Sequence, residues 1–275
     1  MDSNAKLVVI TDLDGTLLDR QTYSYEPSLN AVRRLISQKI PLVLCSSKTR
    51  AEMIPLWREL ALEAPFIVEN GGAICMPPDY FSSPVPGSIR RESLEILELG
   101  DPVPGLRAAL ADAARRCGVT VRSFSSMGPG NIARGTGLSL EASVLALQRE
   151  YDEPFIVEAG NPEELFRCLS NRGFTVSRGD RFSHLTRGSD KGKAVSRLLE
   201  LYRAGGAPVF SVGLGNSAND IPLLRSVNRP VVVKCPDGSW DPEILKEIPS
   251  AHRTRGIGPQ GWAETIEGIL TSLGR

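Results

Sequence analysis

The sequence contains very little histidine and little lysine. Only two of its 275 residues are histidines, His184 and His252, so a zinc site built from histidines is not expected. Lysine supplies 7 of the 32 basic residues and arginine supplies the other 25. Arginine forks suit phosphate and carboxylate ligands, although the codon usage of a GC-rich genome would produce the same bias.

Net charge and long apolar runs are also absent. Lys plus Arg and Asp plus Glu each total 32, so the formal net charge is zero. A chain without net positive charge is not expected to bind nucleic acid non-specifically through a basic surface. No apolar run approaches the roughly 18 residues of a membrane span, and carboxylates interrupt the first apolar run, which is not typical of a signal peptide. We therefore expect a cytoplasmic protein without nucleic-acid or membrane partners.

The cysteines are odd in number, widely spaced and without a CxxC pair, so we expect buried free thiols in a reducing compartment. They are Cys45, Cys75, Cys117, Cys168 and Cys235.

Short β-branched runs alternate with helical patterns in the first and last thirds of the chain. LVVIT (7–11), PLVLCS (41–46) and PVFSVGLG (208–215) are typical of buried strands. Such alternation predicts an α/β fold, a doubly wound and mainly parallel sheet covered by helices on both faces.

The middle of the chain has a different character. Residues 77–90 hold four prolines, which predict a loop or a boundary. Residues 88–186 contain helical patterns and several short strands, which is typical of a small α+β unit. We therefore predict a catalytic α/β core at 1–87 and 187–275 and an inserted cap domain at 88–186.

Two carboxylates follow the first strand, in DLDGT (12–16). Strand alternation sends Asp12 and Asp14 towards the same sheet edge, where open parallel sheets bind their ligands. Carboxylates so close repel each other unless a cation or a shared proton offsets them, and Mg²⁺ is the natural partner. Gly15 lets the chain turn sharply beside a ligand. A solvated Asp/Gly turn is the alternative interpretation.

Two further segments have the composition of a phosphate site. The hydroxyls and N–H groups of SSKT (46–49) follow the second strand and are able to hold a phosphate, although this pattern is more often a helix N-cap. Lys191 opens a predicted helix in SDKGKAV, where a lone lysine is usually solvated.

The segment GLGNSAND (213–220) follows another apolar strand. Gly213, Gly215 and Ala218 fit G-x-G-x-x-A, which suggests a dinucleotide site, but the match lies late in the chain. In the alternative interpretation, Asn216 and Asp220 lie at the same edge as Asp12 and add oxygen ligands for the cation.

Together these motifs resemble those of the haloacid dehalogenase superfamily of phosphotransferases. DLDGTLL resembles its nucleophile loop, Ser46 its second-motif hydroxyl, Lys191 its third-motif lysine and GLGNSAND its acidic fourth motif. The order agrees over essentially the whole chain. An insert between the second and third motifs implies the subfamily with an α/β cap.

The resemblance implies a mechanism. Asp12 would be the nucleophile that forms an aspartyl-phosphate, and Asp14 the general acid and base. Ser46 and Lys191 would hold the phosphoryl oxygens. Mg²⁺ would be bound by the Asp12 carboxylate, the Asp14 backbone carbonyl and the fourth motif, through Asn216 and Asp220.

The sequence departs from the superfamily at Asn216, where an aspartate is usual. An amide oxygen is able to ligate Mg²⁺, but one negative charge is lost. The consequence is a tolerated change, weaker metal binding, a shifted ligand set, or a sugar-phosphate-binding protein without catalysis.

A narrower resemblance concerns the substrate. CSSKTRAEM, PFIVENGGAI, REYDEPF and RFSHLTRGSDKGKAV are similar to segments of phosphatases that act on mannosyl-3-phosphoglycerate and other sugar phosphoglycerates. This implies a sugar phosphoglycerate as the small-molecule partner, with another sugar phosphate, of the sucrose or trehalose type, as the alternative. The candidate substrate-binding residues are Ser47, Lys48, Thr49, Asn70, Arg149, Arg178, Arg181 and His184.

Overall fold

The computed structural model describes residues 5–178, 182–188 and 190–274. The strands are β1 (Lys6–Thr11), β2 (Leu42–Leu44), β3 (Phe66–Val68), β4 (Ala73–Met76), β5 (Ile89–Arg91), β6 (Leu94–Glu98), β7 (Thr120–Ser123), β8 (Glu153–Ala159), β9 (Thr175–Arg178), β10 (Ser183–Thr186), β11 (Val209–Gly215), β12 (Arg229–Lys234) and β13 (His252–Ile257). The helices are α1 (Leu29–Ser37), α2 (Arg50–Glu59), α3 (Val103–Cys117), α4 (Pro129–Thr136), α5 (Leu140–Ala146), α6 (Pro162–Ser170), α7 (Lys191–Ala204), α8 (Ile221–Arg225), α9 (Pro242–Glu247) and α10 (Gly258–Ser272).

A parallel sheet in the order β13-β12-β11-β1-β2 forms the centre of the core. Alternate residues of β1 point to opposite faces, as the period of a strand requires. Leu7 and Val9 pack in one apolar cluster with Trp262 of α10, and Val8 and Ile10 pack in another cluster that includes α7. Both faces of the sheet are therefore covered by helices, and the predicted α/β fold is confirmed.

A second, antiparallel sheet in the order β3-β4-β6-β5 extends the core, and a bridge between Cys45 and Ile67 joins it to the end of β2. Strands β5 and β6 lie within the predicted cap range of 88–186, yet β6 pairs with β4 along its length. The proline-rich segment is thus a loop within this sheet. Strand pairing therefore ties residues 89–98 to the sheet that extends the core, and the division of the chain into core and cap stays a prediction.

The cap contains an antiparallel sheet in the order β7-β8-β10-β9. Helices α3 and α6 cover one face, where they enclose Phe155. A smaller cluster around Phe124, Ile132 of α4 and Ala146 of α5 covers the other face. Helix α5 ends at Ala146, so Arg149 lies in the segment after the helix.

The cysteines are all free thiols, but only Cys45 and Cys75 are buried, while the other three are partly exposed. In the described part of the chain, helices with the length and apolarity to cross a membrane are absent.

Trp262 connects α10 to the end of β1. Its side chain is fully buried, and its indole N–H donates to Thr11 Oγ1 at 3.0 Å. The Thr11 hydroxyl in turn donates to the carbonyl oxygen of Asp12 at 2.7 Å. The packing of α10 therefore helps to fix the backbone that carries Asp12.

We expect Trp262→Phe to lower the free energy of unfolding by about 2–4 kcal/mol, because it removes a buried hydrogen bond and leaves a cavity. The matched control is Trp240→Phe, since the indole N–H of Trp240 has no hydrogen-bond partner within the described part of the chain. Urea denaturation measures both. A loss at Trp262 no larger than at Trp240 would contradict this role.

Candidate active site

Asp12 and Asp14 lie at the carboxyl end of β1, between β11 and β2. The Asp12 N–H donates to the Leu214 carbonyl at 2.9 Å, which extends the pairing of β1 with β11 by one residue. Asp12 is buried, whereas Asp14 is half-buried and its Oδ2 lies 3.0 Å from Lys48 Nζ. Asp14 Oδ1 is buried and has no hydrogen-bond partner among the residues that the structure describes. The two carboxylates thus lie at the predicted sheet edge.

Lys191 is a buried cation between two buried carboxylates. It is the first residue of α7, and its Nζ lies 2.7 Å from Asp12 Oδ1 and 2.6 Å from Asp220 Oδ1. Burial opposes the charge of Lys191, but Asp12 and Asp220 outweigh burial and hold its pKa above the ordinary value. Burial and the negative charge of Asp220 raise the pKa of Asp12 to about 7, against the opposing effect of Lys191.

Asp220 binds two partners, the ammonium group of Lys191 and the loop that follows β11. Its Oδ2 accepts the N–H of Asn216 at 3.0 Å and that of Ser217 at 3.2 Å. Asp220 is fully buried, and both of its carboxylate oxygens are occupied by these contacts. Its predicted role as a metal ligand stays a prediction, and its contacts favour a role in positioning Lys191 and Asn216.

Asn216 faces the loop that follows β1. Its Oδ1 accepts from Thr16 Oγ1 at 3.0 Å. Gly15 has a φ of +80°, and a Cβ at this position would lie 2.6 Å from Asn216 Nδ2. A glycine is therefore required here both by the backbone conformation and by the close approach of the two loops.

The glycines of GLGNSAND serve packing. A Cβ on Gly213 would lie 2.8 Å from Val227 Cγ2, and one on Gly215 would lie 2.5 Å from Asp220 Cβ. Because both positions face the protein's own side chains, they leave no room for a pyrophosphate, and the dinucleotide interpretation is not supported.

Ser46 and its neighbours lie beside the aspartates. Ser46 is buried after β2, and its Oγ accepts the Lys48 N–H at 3.2 Å. Thr49 is the N-cap of α2 and forms a capping box with Glu52. The Thr49 hydroxyl also donates to the Leu145 carbonyl of the cap at 3.0 Å. The N-cap interpretation of SSKT is thus confirmed at Thr49, and a phosphate site at Ser46 and Ser47 stays a prediction.

Lys48 brings a second positive charge to the site. Burial opposes this charge, but the carboxylates of Asp14 and Glu52 outweigh it and raise the pKa of Lys48. The ammonium group therefore stays charged at neutral pH, next to Asp14.

A cleft of about 410 Å³ lies between the core and the cap. The core lines it with Asp12, Asp14, Ser46, Ser47, Lys48 and Asn216, and the cap lines it with Arg149, Arg178 and His184. An adjoining cavity of about 620 Å³ is lined by Tyr23, Asp237 and Asp241, among others. The cleft is large enough for a small organic phosphate.

Two predicted substrate-binding residues, Thr49 and Asn70, do not line the cleft. Asn70 is buried, and its Nδ2 donates to Asp152 Oδ2 at 2.8 Å. Arg181 lies outside the described residues. Sequence reasoning also missed two buried carboxylates next to the cleft, Glu69 and Asp152. Both occur in the quoted segments PFIVENGGAI and REYDEPF, but only the structure shows their contacts.

Comparisons with known proteins identify the family of this chain. Residues 9–86 match the model of a family described as haloacid dehalogenase-like hydrolase. The chain is 38% identical over 96% of its length to a glucosyl-3-phosphoglycerate/mannosyl-3-phosphoglycerate phosphatase of Methanococcoides burtonii, of which it covers 97%. It is 36% identical to a mannosyl-3-phosphoglycerate phosphatase of Pyrococcus furiosus over 80% of this chain and 88% of that protein.

Solved structures show the same fold at lower identity. A superfamily phosphatase of Bacteroides thetaiotaomicron superposes with a TM-score of 0.67 at 16% identity and covers 99% of this chain and 97% of its own. A Thermoplasma acidophilum protein superposes with a TM-score of 0.64 at 20% identity, covering 98% of each chain.

The chain belongs to the haloacid dehalogenase-like hydrolase family. The predicted resemblance is confirmed, and so is the prediction of an enzyme of the phosphatase class.

We expect Lys191→Met to lower the free energy of unfolding by about 3–5 kcal/mol, because it leaves Asp12 and Asp220 buried without their cation. The deficit should be larger at pH 8 than at pH 6. Without Lys191, Asp12 in the folded state keeps its proton to a higher pH, so the stability of the variant continues to fall with pH where that of the wild type levels off.

The matched control for this variant is Lys193→Met, which removes an exposed lysine from the same helix and should change stability by less than about 0.5 kcal/mol. Urea denaturation at the two pH values measures both variants. Equal midpoints for the two substitutions would show that Lys191 does not compensate the buried carboxylates.

Proposed function

We propose that this chain is a phosphatase of glucosyl-3-phosphoglycerate or mannosyl-3-phosphoglycerate. The observation that carries the proposal is 38% identity over 96% of the chain, core and cap together, to a relative that bears this name. The basic groups of the cleft support it, because the substrate has a carboxylate in addition to its phosphate. Arg149, Arg178 and Lys48 line the space next to Asp12, and arginine forks suit both anions.

In the proposed reaction, Asp12 is the nucleophile. Lys191 binds its Oδ1, which leaves Oδ2 to attack phosphorus as the bond from phosphorus to the glycerate oxygen breaks. Asp14 gives a proton to that departing oxygen. Water then attacks the phosphorus of the aspartyl-phosphate, Asp14 takes a proton from it, and the bond to Asp12 breaks.

We propose Ser46 and Lys191 as the groups that hold the phosphoryl oxygens, since both lie beside Asp12. Lys48 is bound to Asp14 Oδ2 in this structure. A substrate carboxylate at the mouth of the cleft would take up the ammonium of Lys48 and release Asp14 for proton transfer.

The donor atoms around Asp12 fit a magnesium ion. In the part of the chain that the structure describes, three His, Cys, Asp or Glu side chains are nowhere placed to hold a metal together, so an amide or a backbone oxygen has to contribute. Asn216 Oδ1 accepts a hydrogen bond from Thr16 and has a further lone pair for a cation. We propose the Asp12 carboxylate, the Asp14 backbone carbonyl and Asn216 Oδ1 as the ligands, which leaves the Asp14 carboxyl for proton transfer. When bound, Mg²⁺ would reduce the repulsion between Asp12 and the phosphate.

We propose that the adjoining cavity binds the sugar of the substrate. Tyr23, Asp237 and Asp241 line it, and such groups exchange hydrogen bonds with sugar hydroxyls.

The proposal includes the cytoplasmic location expected from the sequence, which the free cysteines support.

Phosphate release from a panel of sugar phosphates tests the proposed activity. We expect release from glucosyl- or mannosyl-3-phosphoglycerate in the presence of Mg²⁺, and little from sucrose or trehalose phosphate. Asp12→Asn should reduce kcat by at least about 10³-fold, because an amide is a poor nucleophile, with an unchanged circular dichroism spectrum. Wild-type turnover by Asp12→Asn would refute the nucleophile, and preference for another sugar phosphate would refute the substrate.

Asn216→Asp tests the proposed ligand set. The new carboxylate should tighten Mg²⁺ binding about tenfold, because ligand charge sets the affinity of oxygen sites for hard cations. Without metal the variant should be less stable than wild type, since a further negative charge faces Asp12 and Asp220. Isothermal titration and the Mg²⁺-dependent shift in Tm measure both effects. An unchanged titration would remove Asn216 from the ligand set.

A further inference from the structure

Glu69 joins the core to the cap through main-chain atoms. It follows β3, and its side chain is fully buried. Its Oε2 accepts the N–H of Tyr151 at 2.7 Å and that of Asp152 at 2.9 Å, and its Oε1 accepts the N–H of Glu150 at 2.9 Å. One core carboxylate therefore binds three consecutive amides of the cap.

We call the contact between Glu69 and residues 150–152 the joint, and residues 46–49 the phosphate loop. The backbone of Glu69 connects the joint to the phosphate loop. Its N–H donates to the Lys48 carbonyl at 3.0 Å, and the Asn70 N–H donates to the Ser46 carbonyl at 3.0 Å. Movement of the 150–152 segment relative to Glu69 would thus be a movement relative to Ser46 and Lys48.

Tyr151 packs into this joint against two glycines. A Cβ on Gly72 would lie 2.3 Å from Tyr151 Cβ, and one on Gly100 would lie 3.3 Å from it. The Tyr151 hydroxyl donates to Glu98 Oε1 at 2.6 Å. The absence of side chains at 72 and 100 allows the segment to approach the core closely enough for Glu69 to bind it.

Asp152 links the joint to the cleft. It is fully buried, and its Oδ2 is bound by Asn70 Nδ2 of the core and by His184 Nδ1 of the cap, each at 2.8 Å. A carboxylate accepts only, so Nδ1 of His184 carries the hydrogen and Nε2 is the nitrogen left for a ligand. His184 lines the cleft, whereas Asp152 does not.

Arg149 precedes the bound segment directly. Its guanidinium donates to the Ser47 carbonyl at 2.6 Å, lies 3.7 Å from Asp152 Oδ2, and packs over the ring of Phe124 with 5.4 Å to the centroid. Two of the basic residues with which the cap lines the cleft, Arg149 and His184, are therefore held by the contacts of this segment.

We infer that Glu69 and Asp152 are positioning residues for substrate binding, which hold Arg149 and His184 of the cap in register with the phosphate loop of the core. This inference rests on the proposed function for its ligand, a phosphate ester with an additional carboxylate. Neither residue touches the substrate; Glu69 fixes where the segment lies, and Asp152 fixes the orientation and tautomer of His184.

The kinetic test uses Asp152→Asn and Glu69→Gln with two substrates, mannosyl-3-phosphoglycerate and p-nitrophenyl phosphate. The second carries neither carboxylate nor sugar, so it needs the core but not the positioned cap residues. Burial raises the pKa of Glu69 to about 7, and the assays are therefore run at pH 8. Gln at 69 would turn an amide N–H₂ towards backbone donors and loosen the segment.

We expect both variants to raise KM for mannosyl-3-phosphoglycerate about 10- to 100-fold, with kcat within about threefold of wild type. The kcat/KM for p-nitrophenyl phosphate should stay within about threefold. The matched control is Glu98→Gln, which changes the same joint at the Tyr151 hydroxyl, away from the cleft, and should leave both substrates within about twofold. Equal losses on both substrates, or none, would overturn the inference.

A second measurement does not depend on the substrate. Since the chain has two histidines, ¹⁵N NMR of the imidazoles resolves His184 once His252→Gln identifies the other. We expect the Nδ1–H form of His184 in the wild type and its loss in Asp152→Asn. If wild-type His184 is mainly the Nε2–H form, the inference is wrong. If wild type hydrolyses p-nitrophenyl phosphate but no sugar phosphoglycerate, the proposed function fails while this spectrum still tests the positioning of His184.

Discussion

The buried ammonium of Lys191 is the contact on which the rest of the site depends. It lies within hydrogen-bond distance of two carboxylates that are themselves removed from water, Asp12 and Asp220. Charges in such an environment are tolerated only as a compensated group. Three separate parts of the chain, the end of β1, the start of α7 and the turn after β11, therefore have to come together for any of the three side chains to be buried.

The sequence predicts the core well because its signals are local and repeated. Each of these signals is contained in a few consecutive residues: the buried β-branched strands, the N-cap at Thr49 and the DLDGT segment. The edges of the cap are less predictable. The pairing of β6 with β4 depends on long-range register, which periodicity does not encode. The prolines between them predict a loop or a boundary without deciding between the two.

The roles of individual polar residues are likewise predictable where the signal is local and unpredictable where the role depends on long-range packing. Asp12, Asp14 and Ser46 come directly after strands, so the topology of a parallel sheet places them at one edge. Glu69 and Asp152 are different, because a carboxylate in a sequence gives no sign of whether it meets water, a cation or main-chain amides. Asn70 shows the same limit: its position near the cleft is predictable, but its bond to Asp152 depends on how the cap packs on the core.

The hydrogen bonds that Glu69 accepts from residues 150–152 do not depend on the side chains at these positions, because the donors are main-chain N–H groups. Every residue type except proline offers a main-chain N–H, so exchanges at 150 and 151 preserve the hydrogen bonds that Glu69 accepts there, while a single proline would delete a donor. During evolution the side chains of the cap that contact ligands are thus free to change, while the main-chain hydrogen bonds to Glu69 keep the cap attached to the core. Diversification of substrate range in this chain would then need few compensating changes in the hydrolytic half of the molecule.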